Sequence, residues 1–241
     1  MPCRPPSVKD RTPTVDLSVV TDSYPAAVLW DMDGTLVDTE PYWLTAEEEL
    51  IAAWGGVWTR EDGLALVGSG LERSALIFQS RGVDLSVSEI IDLLTDRVME
   101  QISVAVPWRP GVRELLLELK EAGIPMAVVT MSVRRMAEHV VNSLGFDAFA
   151  TIVSGDEVAE PKPHPDPYLT AAIRLGVDPR HCIAIEDSEP GVASAVAAGA
   201  TTIAVPLHIP LPPSPAYALW NGLDGVTLAD LARVHASEVR A

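Results

Sequence analysis

The sequence predicts an α/β protein with a doubly wound parallel sheet and a smaller helical domain inserted after the first strand. Three observations support this prediction: short apolar runs of strand length, amphipathic segments between them, and a glycine after each of those segments. Strands that alternate with helices form parallel sheets, because each helix carries the chain back to the starting edge. Helices then cover both faces of the sheet, so its strands are apolar along their whole length.

Five apolar runs have the length and character of strands. They cover residues 26–30, 126–129, 151–153, 182–185 and 202–205. Four helices are predicted between and after them, because apolar residues recur there at helical spacing. These helices cover residues 111–122, 133–144, 167–175 and 191–198, and each is followed by a glycine, the residue that favours a helix C-terminus.

The segment from residue 41 to residue 106 interrupts this alternation and contains no obvious strand. Its predicted helices cover residues 41–54, 71–81 and 86–103. We therefore expect an α/β core domain of residues 25–40 and 107–241 and a helical domain of residues 41–106. Residues 1–24, with several prolines and mixed charges, are predicted to be a disordered leader.

The charge balance excludes several classes of partner. Lysine and arginine number 17 against 34 for aspartate and glutamate, which gives a net charge of −17 and a pI near 4.5. An acidic surface repels phosphate backbones and anionic lipid, so we expect neither a nucleic acid nor a membrane as partner. The two cysteines, Cys3 and Cys182, are too few for a disulfide framework, and we expect a cytoplasmic protein.

Polar side chains follow four of the predicted strands. In chain order they are Asp31 and Asp33, Thr130 and Ser132, Lys162, and Glu186 with Asp187. Ligands of open α/β sheets bind outside the carboxyl ends of the strands, where these residues would meet. Carboxylates that converge there repel one another unless a cation lies among them, and oxygen ligands of this kind suit Mg²⁺.

These positions resemble the four motifs of the haloacid dehalogenase-like hydrolase superfamily. D-M-D-G-T-L-V-D at residues 31–38 resembles motif one, and Thr130 matches motif two. Lys162 in E-P-K-P-H-P-D-P matches motif three, and E-D-S-E-P-G at residues 186–191 matches motif four. The resemblance covers roughly residues 26–206 and is greatest to the branch of β-phosphoglucomutase and small-molecule phosphatases. It implies a Rossmann-like core with a helical C1 cap inserted between motifs one and two.

The resemblance also implies a role for each motif residue. Asp31 would be the nucleophile that forms an aspartyl-phosphate, and Asp33 would be the general acid and base. Thr130 would hold phosphoryl oxygens, and Lys162 would offset negative charge on the phosphoryl group and on Asp31.

The ligand sets follow from the same resemblance. Mg²⁺ would be held by Asp31, the backbone carbonyl of Asp33, Asp187, and Glu186 directly or through water. Gly34, Met131 and Ser132 would contact the phosphate of the substrate, a small-molecule phosphate ester.

Several reactions of the superfamily remain to be separated. Dehalogenases lack the second aspartate, and phosphonate cleavage needs a lysine in the cap, where residues 42–106 have none. Phosphomutases use a histidine and an arginine in the cap, and Trp43 and Leu71 fall at those positions. A phosphatase is therefore expected. A β-phosphoglucomutase-like mutase and a non-catalytic protein that binds a phospholigand are the alternatives.

The cap is expected to select the substrate. Ser69 and Arg73 lie in the loop G-S-G-L-E-R-S, where such caps contact substrate, and Trp43 is close to the hinge. Arg73 could equally belong to a surface helix turn. The predicted cap has eleven acidic residues and four arginines, which favours a small sugar- or polyol-like phosphate over a large polyanion. Arg134 or Arg135 could add a cation at the mouth of the site.

Two further expectations concern the rest of the chain. The five histidines, His139, His164, His181, His208 and His235, are predicted to be structural or exposed. Residues 211–220 could form an ordered arm, a contact surface or a loop, and the sequence does not decide among these. The protein is expected to be a monomer or a weak homodimer.

Overall fold

The computed structural model describes residues 24–238, so the predicted leader lies outside the described residues except for Tyr24. The strands in this range are β1 (Ala27–Trp30), β2 (Met126–Val129), β3 (Thr151–Val153), β4 (Cys182–Glu186), β5 (Thr201–Ala204) and β6 (Ala218–Leu219). The helices are α1 (Glu40–Ala53), α2 (Arg60–Leu64), α3 (Leu71–Ser80), α4 (Val87–Val104), α5 (Val112–Glu121), α6 (Arg134–Asn142), α7 (Asp166–Leu175), α8 (Glu189–Ala197) and α9 (Leu228–Glu238).

The strands form one parallel sheet in the order β3-β2-β1-β4-β5-β6. The order reverses at β1, where Leu29 pairs with Ala127 of β2 on one side and with Ala184 of β4 on the other. Such a reversal opens a crevice beyond the carboxyl ends of the strands. The predicted doubly wound α/β fold is therefore confirmed.

Helices cover both faces of the sheet and account for its apolar strands. Every residue of β1, β2, β4 and β5 is buried. On one face, α5 contributes Leu115 and Leu119 to the larger core cluster. On the other face, Tyr168 of α7 and Ala195 of α8 pack on alternate residues of the same strands. The strand limits differ by at most one residue from those predicted; β4 continues because Glu186 pairs with Ala204.

The helical insertion is formed by α1 to α4, between β1 and α5. Its core includes the ring of Trp58, which lies 5.0 Å from that of Phe78. The five-residue α2 is not predicted by the sequence, because it is short and contains a glycine. A capping box of Thr59 and Asp62 nevertheless fixes its start.

In the C-terminal part, the end of the segment 211–220 is ordered as a strand. Their end forms β6, in which Ala218 pairs with Ile203 of β5. Helix α9, not predicted, returns along the sheet, where His235 hydrogen-bonds Thr201 at 2.9 Å. Among the described residues, no helix is long and apolar enough to cross a membrane.

Candidate active site

The carboxyl ends of the three central strands meet below the helical insertion. Asp31 follows β1, Thr130 follows β2, and Glu186 is the last residue of β4. Lys162 reaches the same point from the loop between β3 and α7. The fold therefore brings together residues that are up to 155 positions apart in the chain.

Lys162 lies at the centre of this cluster. Its Nζ donates to Asp31 Oδ1 at 2.8 Å, to Glu186 Oε1 at 2.6 Å and to the Val129 carbonyl at 2.8 Å. These three acceptors use all three N–H donors of the ammonium group. Burial opposes the charge, but Asp31 and Glu186 together raise the pKa of Lys162, so the ammonium remains protonated.

Three buried carboxylates lie beside that ammonium group. Asp31, Glu186 and Asp187 each present an oxygen, and these oxygens lie within 4.8 Å of one another. Asp31 Oδ2 is buried and has no hydrogen-bond partner among the described residues. A buried oxygen without a partner, next to two further carboxylates, fits a cation with oxygen ligands.

The pKa values of two of these carboxyls show the same excess of negative charge. Burial and the neighbouring Glu186 raise the pKa of Asp31, while Lys162 opposes the shift. Burial and the Asp31 carboxylate raise the pKa of Asp187 well above its ordinary value. One lysine is thus insufficient to neutralise the cluster, and a divalent cation would lower both pKa values.

Gly34 allows the chain after β1 to lie close to Asp187, which follows β4. Its φ is +84°, and a Cβ built on it would lie 2.0 Å from Asp187 Oδ2. The buried Arg109 donates from Nη1 to the carbonyls of Gly34 and Val205 and so links the end of β1 to the end of β5. Arg109 has no motif or spacing that would identify it from the sequence.

Asp33 is held by side chains from both the core and the insertion. Its Oδ2 accepts from Ser132 Oγ at 2.7 Å and Thr130 Oγ1 at 3.2 Å. Its Oδ1 accepts from Thr39 Oγ1 at 2.5 Å and Trp43 Nε1 at 3.3 Å. Because Trp43 belongs to α1, the position of the Asp33 carboxylate depends on where the insertion lies.

The segment after β2 presents hydrogen-bonding groups to the site from residues that are expected to contact phosphate. Thr130 Oγ1 accepts from the backbone N–H of Ser132 at 3.0 Å, and α6 begins two residues later. Both residues line the cavity described next, as do Met131 and Gly34. Amides and hydroxyls before a helix N-terminus form a favourable position for an anion.

A cavity separates the sheet edge from the insertion. Its floor includes Asp31, Asp33, Lys162 and Asp187, and its roof includes Trp43 and Ser69, both expected to contact substrate. Arg73 is exposed and lies outside the residues that line the cavity. The structure therefore brings the predicted cap residues Trp43 and Ser69 to the site but not Arg73.

Two glutamates of α1 line the roof and are not singled out by the sequence analysis. Glu40, Trp43 and Glu47 occupy positions i, i+3 and i+7 of α1 and therefore lie on the same face of the helix. Burial raises the pKa of Glu40 to about 8 and that of Glu47 to about 7. Glu47 Oε2 accepts from Trp58 Nε1 at 2.9 Å. Helical spacing from Trp43 is the signal that would have identified them.

We expect Glu47 to make the metal-free protein less stable as the pH rises. The pKa of Glu47 is higher in the folded protein than in the unfolded chain. The stabilisation that protonated Glu47 contributes is therefore complete below the unfolded pKa and is lost as the pH rises towards the folded pKa of about 7. Glu47→Gln should therefore reduce the loss of unfolding free energy between pH 5 and pH 8, by on the order of 2–3 kcal/mol. Urea unfolding in EDTA measures this difference.

The control is Glu100→Gln, which removes the same charge from an exposed position of α4 in the insertion. It should keep the wild-type pH dependence. Equal losses of stability in the Glu47→Gln variant and the wild type would contradict the assignment.

Two arginines expected near the mouth of the site are engaged elsewhere. Arg135 pairs with Asp92 and Asp96 of α4, and Arg134 pairs with Glu157. Neither lines the cavity, so neither adds the cation that the sequence analysis considered for the mouth of the site.

His208, expected to be structural or exposed, does line the cavity. Its Nε2 lies 2.7 Å from Asp38 Oδ1.

The family of the chain follows from this fold and this cluster. The model of the haloacid dehalogenase-like hydrolase family matches residues 28–205, which include all four motifs. The chain belongs to the haloacid dehalogenase-like hydrolase family, as the resemblance of its motifs implies.

Known relatives and solved structures identify the branch of the family to which the chain belongs. The chain is 38% identical over 192 residues to protein CbbY of Rhodobacter capsulatus, covering 75% of this chain and 85% of the relative. It is 33% identical over 184 residues to hexitol phosphatase B of Escherichia coli, and the match covers 75% of this chain and 83% of that relative. The crystal structure of CbbY from Rhodobacter sphaeroides in complex with phosphate superposes with a TM-score of 0.78 at 31% identity. The superposition covers 86% of this chain and 99% of the CbbY chain. The chain therefore lies in the branch of small-molecule phosphatases and β-phosphoglucomutase-like proteins.

Proposed function

We propose that this protein is a Mg²⁺-dependent phosphatase that hydrolyses a small sugar- or polyol-phosphate monoester through an aspartyl-phosphate. The observation that carries the proposal is the environment of the Asp31 carboxylate. Its Oδ1 is held by Lys162, while its buried Oδ2 has no partner among the described residues. Hexitol phosphatase B is named for a reaction of this class, which supports the choice of a phosphoric monoester hydrolase.

The first step is attack on phosphorus by one oxygen of the Asp31 carboxylate. An O–P bond forms, the bond from phosphorus to the ester oxygen breaks, and the alcohol leaves with a proton from Asp33. Lys162 holds Asp31 in place and offsets charge on the phosphoryl group, and the Thr130–Ser132 segment holds its oxygens. Water then attacks the aspartyl-phosphate, gives its proton to Asp33 and releases phosphate.

The donor set fits Mg²⁺, since it consists of carboxylate oxygens around an unpartnered buried oxygen. We propose Asp31, Asp187, Glu186 and the backbone carbonyl of Asp33 as its ligands. When bound, Mg²⁺ offsets the charge of both anions, so that a carboxylate can approach a phosphate.

The insertion is proposed to act as a cap domain, residues 41–106, that opens to admit substrate and closes over it. Closure places Trp43 on Asp33 and thereby positions the general acid only when water has been excluded. A cytoplasmic location and a monomeric or weakly dimeric state remain predictions from the sequence.

The roof of the cavity supports a substrate with an uncharged, hydroxyl-rich remainder. Its polar groups are Glu40, Glu47, Ser69 and Ser74, and no lysine or arginine of the insertion lines the cavity. Carboxylates and hydroxyls hydrogen-bond sugar hydroxyls, whereas they repel a second phosphate.

The test is phosphate release from a panel of phosphomonoesters, with Mg²⁺ and with EDTA. The panel contains hexitol phosphates, hexose phosphates and β-glucose 1-phosphate, which is also scored for conversion to glucose 6-phosphate. We expect Mg²⁺-dependent release from a small group of esters. Conversion without release would identify a mutase, and binding without turnover a non-catalytic protein.

We also expect discrimination against a second phosphate. At pH 9, where both carboxyls are ionised, the kcat/KM for a hexose bisphosphate should be at least about tenfold below that for the matching monophosphate, because the second phosphate would lie against Glu40 and Glu47. Steady-state kinetics at one ionic strength measure this ratio. Equal values for the two esters would show that the roof does not select against charge.

A further inference from the structure

Tyr168 of α7 lies directly beneath the candidate active site, although no motif includes it. Its side chain is completely buried, and its hydroxyl donates to Glu186 Oε1 at 2.6 Å. Lys162 Nζ donates to the same oxygen at 2.6 Å and lies 5.3 Å from the centre of the Tyr168 ring. One carboxylate oxygen therefore receives two short hydrogen bonds, from the hydroxyl and from the ammonium group.

This arrangement limits how Glu186 can move. Its Oε2 lies 3.3 Å from Ser188 Oγ, and a Cβ on Gly191 would lie 2.0 Å from the carboxylate. Without the Tyr168 hydroxyl, Lys162 would be the one strong donor to Glu186 and would also have to hold Asp31. A ligand is best oriented when a second group fixes it from behind.

We propose that Tyr168 is a positioning residue, whose hydroxyl fixes Glu186 so that Lys162 is held against Asp31 and the carboxylates stay arranged for the metal. Tyr168 touches neither the cavity nor the reacting atoms. Its contribution passes through Glu186. The proposal rests on the proposed phosphatase function, because that function gives Lys162, Asp31 and Glu186 their roles.

The variant Tyr168→Phe removes the hydroxyl and keeps the ring that packs in the core. We expect kcat for the best ester to fall about tenfold, with KM within twofold of wild type, because the groups that hold the phosphate are unchanged. We also expect the Mg²⁺ dissociation constant, measured by calorimetry, to rise about tenfold. A role confined to packing would lower the melting temperature without these changes.

The matched control is Tyr217→Phe, which removes a hydroxyl that donates to the Pro212 carbonyl outside the cavity. It should keep wild-type kcat and Mg²⁺ binding. In a Glu186→Gln background, Tyr168→Phe should have little further effect on Mg²⁺ binding, because the residue through which it acts has been altered.

The proposal requires both changes in Tyr168→Phe. A kcat or a Mg²⁺ dissociation constant within twofold of wild type overturns it, and so does an undiminished effect on Mg²⁺ binding in the Glu186→Gln background. If the wild type releases phosphate from no ester, the proposed function fails instead, and Mg²⁺ binding alone then decides the role of Tyr168.

Discussion

Asp31→Asn should release phosphate roughly a thousandfold or more slowly than the wild type, because the amide cannot form the aspartyl-phosphate. The side chain keeps its size, and one charge leaves a site where burial and Glu186 raise the pKa of Asp31. The variant should therefore remain folded, with an unfolding free energy in EDTA at least equal to that of the wild type at pH 8. Phosphate release and urea unfolding measure the two quantities.

The control for this variant is Asp84→Asn, a change of an exposed aspartate in the insertion. It should keep both activity and stability. Residual activity within tenfold of wild type in Asp31→Asn would contradict the assignment of the nucleophile. A collapse of stability would show instead that Asp31 has a structural role.

Lys162→Met should abolish activity and also destabilise the fold. It leaves Asp31 and Glu186 buried without their shared cation, and breaking a buried ion pair in this way costs about 3–5 kcal/mol. The cost should be largest at pH 8 and smaller at pH 5, because the Asp31 carboxyl, whose pKa rises further without the ammonium, can take up a proton. Adding Mg²⁺ should recover part of the stability, because the cation replaces the missing charge.

Urea unfolding at the two pH values, with EDTA or Mg²⁺, tests this expectation. The control is Lys120→Met, which removes an exposed lysine at the end of α5. It should change the unfolding free energy by less than about 1 kcal/mol. Equal stability of Lys162→Met and wild type at pH 8 would exclude the shared-cation role.

The core of the fold could be predicted because its signals are local. Each strand is an apolar run only a few residues long, and the glycines after the helices mark where each one ends. The rule that ligands bind at the carboxyl ends of parallel strands then places Asp31, Thr130 and Glu186 together, although nothing nearby in the sequence links them. Short elements such as α2 and β6 gave no comparable signal, since their periodicity is too brief.

Local sequence signals were enough to predict the doubly wound sheet, the helical insertion and the motif residues at the sheet edge. The tertiary structure decided which face of α1 covers that edge, and so brought Glu47 to the cavity while leaving Arg73 outside it. It also decided that Arg135 pairs with the insertion and that Tyr168 reaches Glu186. The physical reason is that strand and helix signals depend on neighbours in the chain, whereas these contacts depend on how separate elements pack.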